Sequence, residues 1–142
     1  VSDPPSVVVL PFTEAGDVVV IREWRQAVGR TNYGLPAGGL EAEDADLDAA
    51  ARRELREETG YEAAAIESIA TYEPSNGLFD SVVHYVVARG CSPTGERDLD
   101  DNESIAAETT TFDELRERAV GGALRDGRSA LAVFQYDSQK RR

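Results

Sequence analysis

The chain has 142 residues, 41% of them hydrophobic, which is the size and apolar content of one domain over residues 1–142 with a single core. It carries 27 acidic residues against 15 basic ones, a net charge of −12 that offers a nucleic acid no basic face. No apolar run approaches the roughly 18 residues of a bilayer span, the N-terminus lacks a basic-then-apolar secretion signal, and Cys91, the single cysteine, excludes an internal disulfide or a cysteine-built metal centre, so a soluble cytoplasmic protein without a membrane partner is expected.

In chain order, the valine-rich stretch Ser6 to Phe12 predicts a strand, Glu14 to Asp17 a turn, and Val18 to Trp24 a second strand, together a hairpin. A polar loop is expected from Arg25 to Gly34. The following Leu35-Pro36-Ala37-Gly38-Gly39 is read as irregular, its glycines letting backbone approach a ligand closely. A helix begins near Asp44 to Asp48 and ends at Gly60, which suits a C-terminal cap. Ile66 to Tyr72 and Ser81 to Ala88 predict a second antiparallel pair, joined through Pro74-Ser75-Asn76-Gly77. Arg89 to Asn102 reads as an exposed acidic loop, Thr109 to Phe112 as a short strand, and Asp113 to Ala119 and Asp126 to Tyr136 as two late helices. This order points to a mixed α+β, sandwich-like domain.

The charge balance also bears on habitat. Lys140 is the only lysine, and an acidic, lysine-poor chain suits a halophilic cytoplasm, where 1 M salt screens self-repulsion over about 3 Å. An anionic small molecule can still bind such a chain where metal ions or a few arginines reverse the field locally.

The central helix concentrates the chemistry. At 100° per residue, Leu47, Ala50, Ala51 and Leu55 form an apolar stripe about 140° wide. Glu54 and Glu58 fall within it and Glu57 lies at its edge, while Asp48, Ala49, Arg52 and Arg56 take the solvent side. Carboxylates turned inward are costly without a counter-charge. At spacings of three and four residues they also repel one another by ~0.2–0.5 kcal/mol per pair. A hard divalent cation such as Mg²⁺ meets both problems, and it can clamp a phosphoryl group and activate water. The plain alternative for Glu-x-x-Glu-Glu is a solvated acidic face with Arg53 in salt bridges, but the solvated face of this helix lies elsewhere and holds two arginines.

Gly39 followed by Arg53-Glu54-Leu55-Arg56-Glu57-Glu58-Thr59-Gly60-Tyr61 closely resembles the Nudix box, and the order of flanking elements is similar to that of the Nudix fold. The resemblance implies an α/β/α sandwich with a mixed central sheet. It also implies Glu54, Glu57 and Glu58 as metal ligands, the Ala37 carbonyl as a further one, Arg53 as the residue orienting the glutamates, and Mg²⁺, with Mn²⁺ as the alternative ion. The glutamate that the family places six residues after the box glycine is Ala45 here, between Asp44 and Asp46; either a neighbouring aspartate replaces it or the loop shifts by one residue. Trp24-Arg25 and Leu35-Pro36-Ala37-Gly38, with Glu73 to Gly77, resemble segments of ADP-ribose pyrophosphatases, although the acid that often precedes the Leu-Pro-Ala-Gly run is Gly34. A nucleoside diphosphate substrate follows, ADP-ribose foremost, with nucleoside triphosphates as the alternative. Larger relatives are commonly dimers, so a homodimer enters as an expected partner.

Hydrolysis also needs a base, and a metal-bound carboxylate accepts protons poorly. Glu103, in the acidic loop Asp98 to Glu103, resembles the loop glutamate with that role in related enzymes. Arg25 is the candidate phosphate grip because a guanidinium suits two-point contact, and Gly38 and Gly39 complete the expected substrate contacts. Tyr33, Tyr72 and Phe79 are as suited to core packing as to stacking on a base, and His84, between valines, reads as structural. The competing reading is a Nudix-fold module that binds a nucleotide or protein without turnover, which has no physical reason to keep three inward carboxylates.

Overall fold

The computed structural model describes residues 5–27, 29–74, 76–77, 81–95 and 105–140, with the side chains of Arg25 and Ile105 outside that description. In chain order the elements are β1 (Ser6–Thr13), β2 (Val18–Arg25), β3 (Arg30–Gly34), β4 (Ala37–Gly39), α1 (Leu47–Thr59), β5 (Tyr61–Glu62), β6 (Ala65–Tyr72), β7 (Val83–Pro93), β8 (Ile105–Thr110), α2 (Phe112–Val120) and α3 (Gly127–Lys140).

β1 is buried on both faces from Val7 to Phe12, which explains why its apolar residues run continuously and do not alternate. It lies parallel to β7, Val8 opposite Tyr85, and antiparallel to β4, Val8 opposite Ala37. β6 continues the sheet beyond β7, antiparallel to it. Val7 and Val9 pack with Ala50, Ala51 and Leu55 of α1 on one face. Val8, Leu10 and Phe12 pack with Phe112 and Leu115 of α2 and Ala132 and Val133 of α3 on the other. One mixed sheet between α1 and the α2–α3 pair is the α/β/α sandwich expected.

The α1 boundaries follow from local chemistry. The Asp46 side chain accepts the Ala49 amide at 2.8 Å, and Gly60, at φ 75°, donates its amide to the Arg56 carbonyl.

Several expectations need correction. The expected β1–β2 hairpin is joined only next to its turn, where Phe12 meets Val18; beyond that β2 leaves to pair with β3 and β8. The polar loop from Arg25 to Gly34 contains β3, because an antiparallel ladder on β2 satisfies its backbone whatever its side chains. Gly38 and Gly39, read as irregular, pair with Val7 and Ser6, and the Pro36 carbonyl accepts the Val9 amide at 2.9 Å. β7 runs past Ala88 into the expected acidic loop, where β5 pairs with its end, and β8 starts four residues before the expected Thr109. No helix among the described residues is long and apolar enough to cross a membrane.

Candidate functional site

Burial of Ala50, Ala51 and Leu55 against β1 fixes the roll of α1, and that roll carries the acidic residues with it. Glu54, directly before Leu55, is 8% exposed. Its carboxylate lies over Gly38, where a Cβ would overlap both carboxylate oxygens. β4 therefore needs glycine at this position because Glu54 fills the space a side chain would take.

Glu58 is partly buried and accepts the Ala37 amide at 2.8 Å. Burial pushes its carboxyl up to about 7, with repulsion from Glu54 adding to the effect and the Ala37 amide and Arg128 opposing it. Burial likewise raises the Glu54 carboxyl, although Arg53 pulls the other way. The Glu57 side chain is 45% exposed, at the edge of the buried face as the helical period predicts.

Arg53 gathers these groups. Its Nη1 lies 2.8 Å from Glu54 Oε1, and 3.2 Å from both Glu57 Oε2 and Glu41 Oε2. Its Nη2 donates to the Gly39 carbonyl at 3.0 Å, and Nε and Nη2 donate to the two oxygens of Asp44 at 2.9 Å each. Asp44 is held well below the usual carboxylate range by those bonds, and the guanidinium is raised by the same contact. The structure thus places Ala37, Gly38, Gly39, Arg53, Glu54, Glu57 and Glu58 together. It also resolves the region of Ala45: Ala45 is exposed, Asp44 turns in to Arg53, and Asp46 caps α1.

These residues fit a hard dication by their chemistry. Arg53 or the Ala37 amide engages one oxygen of each glutamate, which leaves the second oxygen for another partner, and the mutual repulsion of Glu54, Glu57 and Glu58 is what a cation relieves. Among the described residues no three acidic, histidine or cysteine side chains already converge as a metal cage.

Beside Glu58 and Ala37 opens a cavity of about 380 Å³, the size of small-molecule sites. Glu23, Arg30 and Asn32 of β2 and β3 line one side, and Arg125, Asp126 and Arg128 around the start of α3 line the other. Sequence reasoning singled out neither Arg125 nor Arg128. A signal was present: two arginines flank the start of a helix, where the macrodipole disfavours cations. Leu35 donates its amide to Ser129 Oγ at 3.0 Å, and Ser129 donates to Asp126 Oδ2 at 2.7 Å, which ties the start of α3 to the segment carrying Ala37.

The remaining candidates divide. Arg25 stands opposite Arg30 in the β2–β3 register, two residues on from Glu23. Glu103 and Phe79 lie outside the described residues. Tyr33 borders the cavity with the Arg118 guanidinium 4.1 Å from its ring centroid, and Tyr72 packs edge-on against Tyr85. His84 Nδ1 is 3.1 Å from Thr71 Oγ1. Cys91 is 3% exposed, and burial raises its thiol to about 11.

Among known proteins, the family model of the NUDIX domain matches residues 3–131 of this chain. The chain is 32% identical to an ADP-ribose pyrophosphatase of Bacillus subtilis (strain 168), over 96% of its own length and 73% of the relative's. It is 31% identical, with the same coverage, to a methanol dehydrogenase activator of Bacillus methanolicus. The crystal structure of an ADP compounds hydrolase superimposes with a TM-score of 0.79 at 20% identity, over 95% of this chain and 71% of that one, which is a likeness of fold.

Proposed function

Given that this chain belongs to the Nudix family and is one of its pyrophosphohydrolases, we propose that its substrate is ADP-ribose, cleaved with Mg²⁺ to AMP and ribose 5-phosphate. The observation that carries this reading is the Arg53 cluster, which holds inward carboxylates beside a cavity large enough for a nucleotide. The similarity to a Bacillus subtilis ADP-ribose pyrophosphatase supports the choice of substrate.

Glu54, Glu57 and Glu58, with the Ala37 carbonyl, would hold the metal. Bound there, Mg²⁺ supplies charge neutralisation on the phosphates and acidifies water. Arg53 holds Glu54 and Glu57 in one orientation, and its own position is set by Asp44. Gly38 lets Glu54 reach the loop, so that α1 and β4 form one wall of the site. Arg25, Gly38 and Gly39 would contact the substrate. Water attacks one phosphorus, the bond from that phosphorus to the bridging oxygen breaks, and both phosphates leave as monoesters. Glu103 would take the proton of the attacking water; this role rests on its place in the sequence. The acidic, lysine-poor composition supports an enzyme of a high-salt cytoplasm.

Incubation with ADP-ribose and Mg²⁺ in molar salt, with the products identified, tests the reading. Equal amounts of AMP and ribose 5-phosphate are expected, and Glu57→Gln should lower turnover at least about a hundredfold. Failure to cleave ADP-ribose or any other nucleoside diphosphate derivative with Mg²⁺ or Mn²⁺ overturns it.

A further inference from the structure

Other arginines of this acidic chain are engaged by carboxylates. Arg22 lies 3.3 Å from Glu108, Arg118 lies 3.3 Å from Glu114, and Arg53 meets four acids. Arg125 lines the cavity, is exposed, and makes no ion pair among the described residues; Arg30, exposed at the same cavity, donates Nε to Asn32 Oδ1 instead. Arg128 is nearly as free, with its Nε 3.7 Å from Asp126 Oδ1, beyond hydrogen-bond length, while the other Asp126 oxygen accepts from Ser129.

Their position does not serve the helix. Cations beside the first turn of α3 oppose its dipole, and Asp126, just ahead of that turn, divides its carboxylate between Arg128 and Ser129. The Leu35–Ser129–Asp126 bonds nevertheless fix this turn against the segment leading to Ala37 and Glu58. Two guanidiniums therefore line the same cavity as the Glu58 carboxylate of α1.

Resting on the reading of the substrate as a nucleoside diphosphate derivative, we propose that Arg125 and Arg128 bind the phosphoryl group that the Glu54, Glu57 and Glu58 carboxylates do not, so that the diphosphate spans from α1 to α3. Guanidiniums suit the role because each can offer two parallel donors to a phosphate.

The test pairs kinetics with binding in the full chain. The kinetic arm measures ADP-ribose turnover. The binding arm titrates the α,β-methylene analogue of ADP-ribose with Mg²⁺ in a calorimeter; its P–C–P bridge resists hydrolysis. Arg125→Gln and Arg128→Gln should each raise KM and weaken analogue binding about tenfold, with kcat changed far less. Arg125→Lys should recover part of the loss. Arg22→Gln, which removes the same charge outside the cavity, should change neither. Unaltered analogue binding in both cavity variants overturns the proposal, as does an equal loss in Arg22→Gln or a wild-type chain that does not bind the analogue. Arginine-dependent binding without any ADP-ribose cleavage would remove the hydrolytic reading and keep this one, and cleavage with an unchanged KM in the variants would do the reverse.

Discussion

The Arg53 guanidinium and the Asp44 carboxylate meet at two points, Nε to Oδ1 and Nη2 to Oδ2, both at 2.9 Å, with the Asp44 side chain only 7% exposed. This pair anchors the arginine that orients Glu54 and Glu57, so the loop before α1 helps to set the geometry of the carboxylates within it.

Arg53→Lys should therefore keep the charge and lose the function. A lysine ammonium cannot make the parallel contact to Asp44 while reaching Glu54, Glu57 and the Gly39 carbonyl. A fall in kcat/KM of about ten- to a hundredfold is expected, with a smaller fall for Asp44→Asn. The double variant should lose less than the two single losses combined, because each breaks the same contact. Steady-state kinetics on the four proteins measures this, and strict additivity would mean that Asp44 acts independently of Arg53.

Gly38→Ala places a methyl group where the Glu54 carboxylate lies. Either Glu54 swings away from Arg53 or β4 shifts from β1, at a cost of about 1–3 kcal/mol. Lower unfolding stability together with weaker Mn²⁺ binding by calorimetry is expected. Gly77→Ala, whose Cβ would meet nothing within 4 Å, should leave both unchanged.

In metal-free protein, Glu58 should make stability fall as pH rises. Its folded-state value of about 7 lies above the ordinary glutamate value of 4.5, so the folded chain holds this proton more tightly than the unfolded chain. The stability from its protonation is complete below pH 4.5 and is lost by pH 7 and above. Glu58→Gln keeps a neutral acceptor for the Ala37 amide. Thermal unfolding in EDTA should show it more stable than wild type at pH 8, with the difference closing toward pH 4. Excess Mg²⁺ should narrow the gap at pH 8 by stabilising the wild type. A gap that persists unchanged at pH 4 would assign the effect to packing.

Ser129→Ala removes a fully buried hydroxyl that joins Leu35 to Asp126. The Leu35 amide then lacks its partner, and a loss of about 1–3 kcal/mol is expected in urea unfolding. KM for ADP-ribose should rise as well, because the start of α3 carries Arg128.

Much of this architecture was legible in local chemistry. Apolar spacing set which face of α1 turns inward, and that face brings Glu54 and Glu58 with it; Asp46 and Gly60 set its ends through caps that act within a few residues. The valine-rich stretch of β1 marked a strand, though its cover on both faces emerged only from the structure. β3 and β4 were not legible, because a strand stabilised by its partner's backbone needs no apolar pattern of its own. Nor was the choice between Asp44 and Asp46 as the partner of Arg53.

The amino-acid order by itself determined the acidic helix, its inward glutamates and the glycine-bearing segment before it, because helical period and capping depend on neighbours in the chain. Tertiary structure alone decided which carboxylate anchors Arg53, why Gly38 must lack a side chain, and that Arg125 and Arg128 meet the cavity near Glu58. Those relations join residues up to some seventy positions apart along the chain, and only the packing of α1 and α3 on opposite faces of one sheet brings them within reach of the same small molecule.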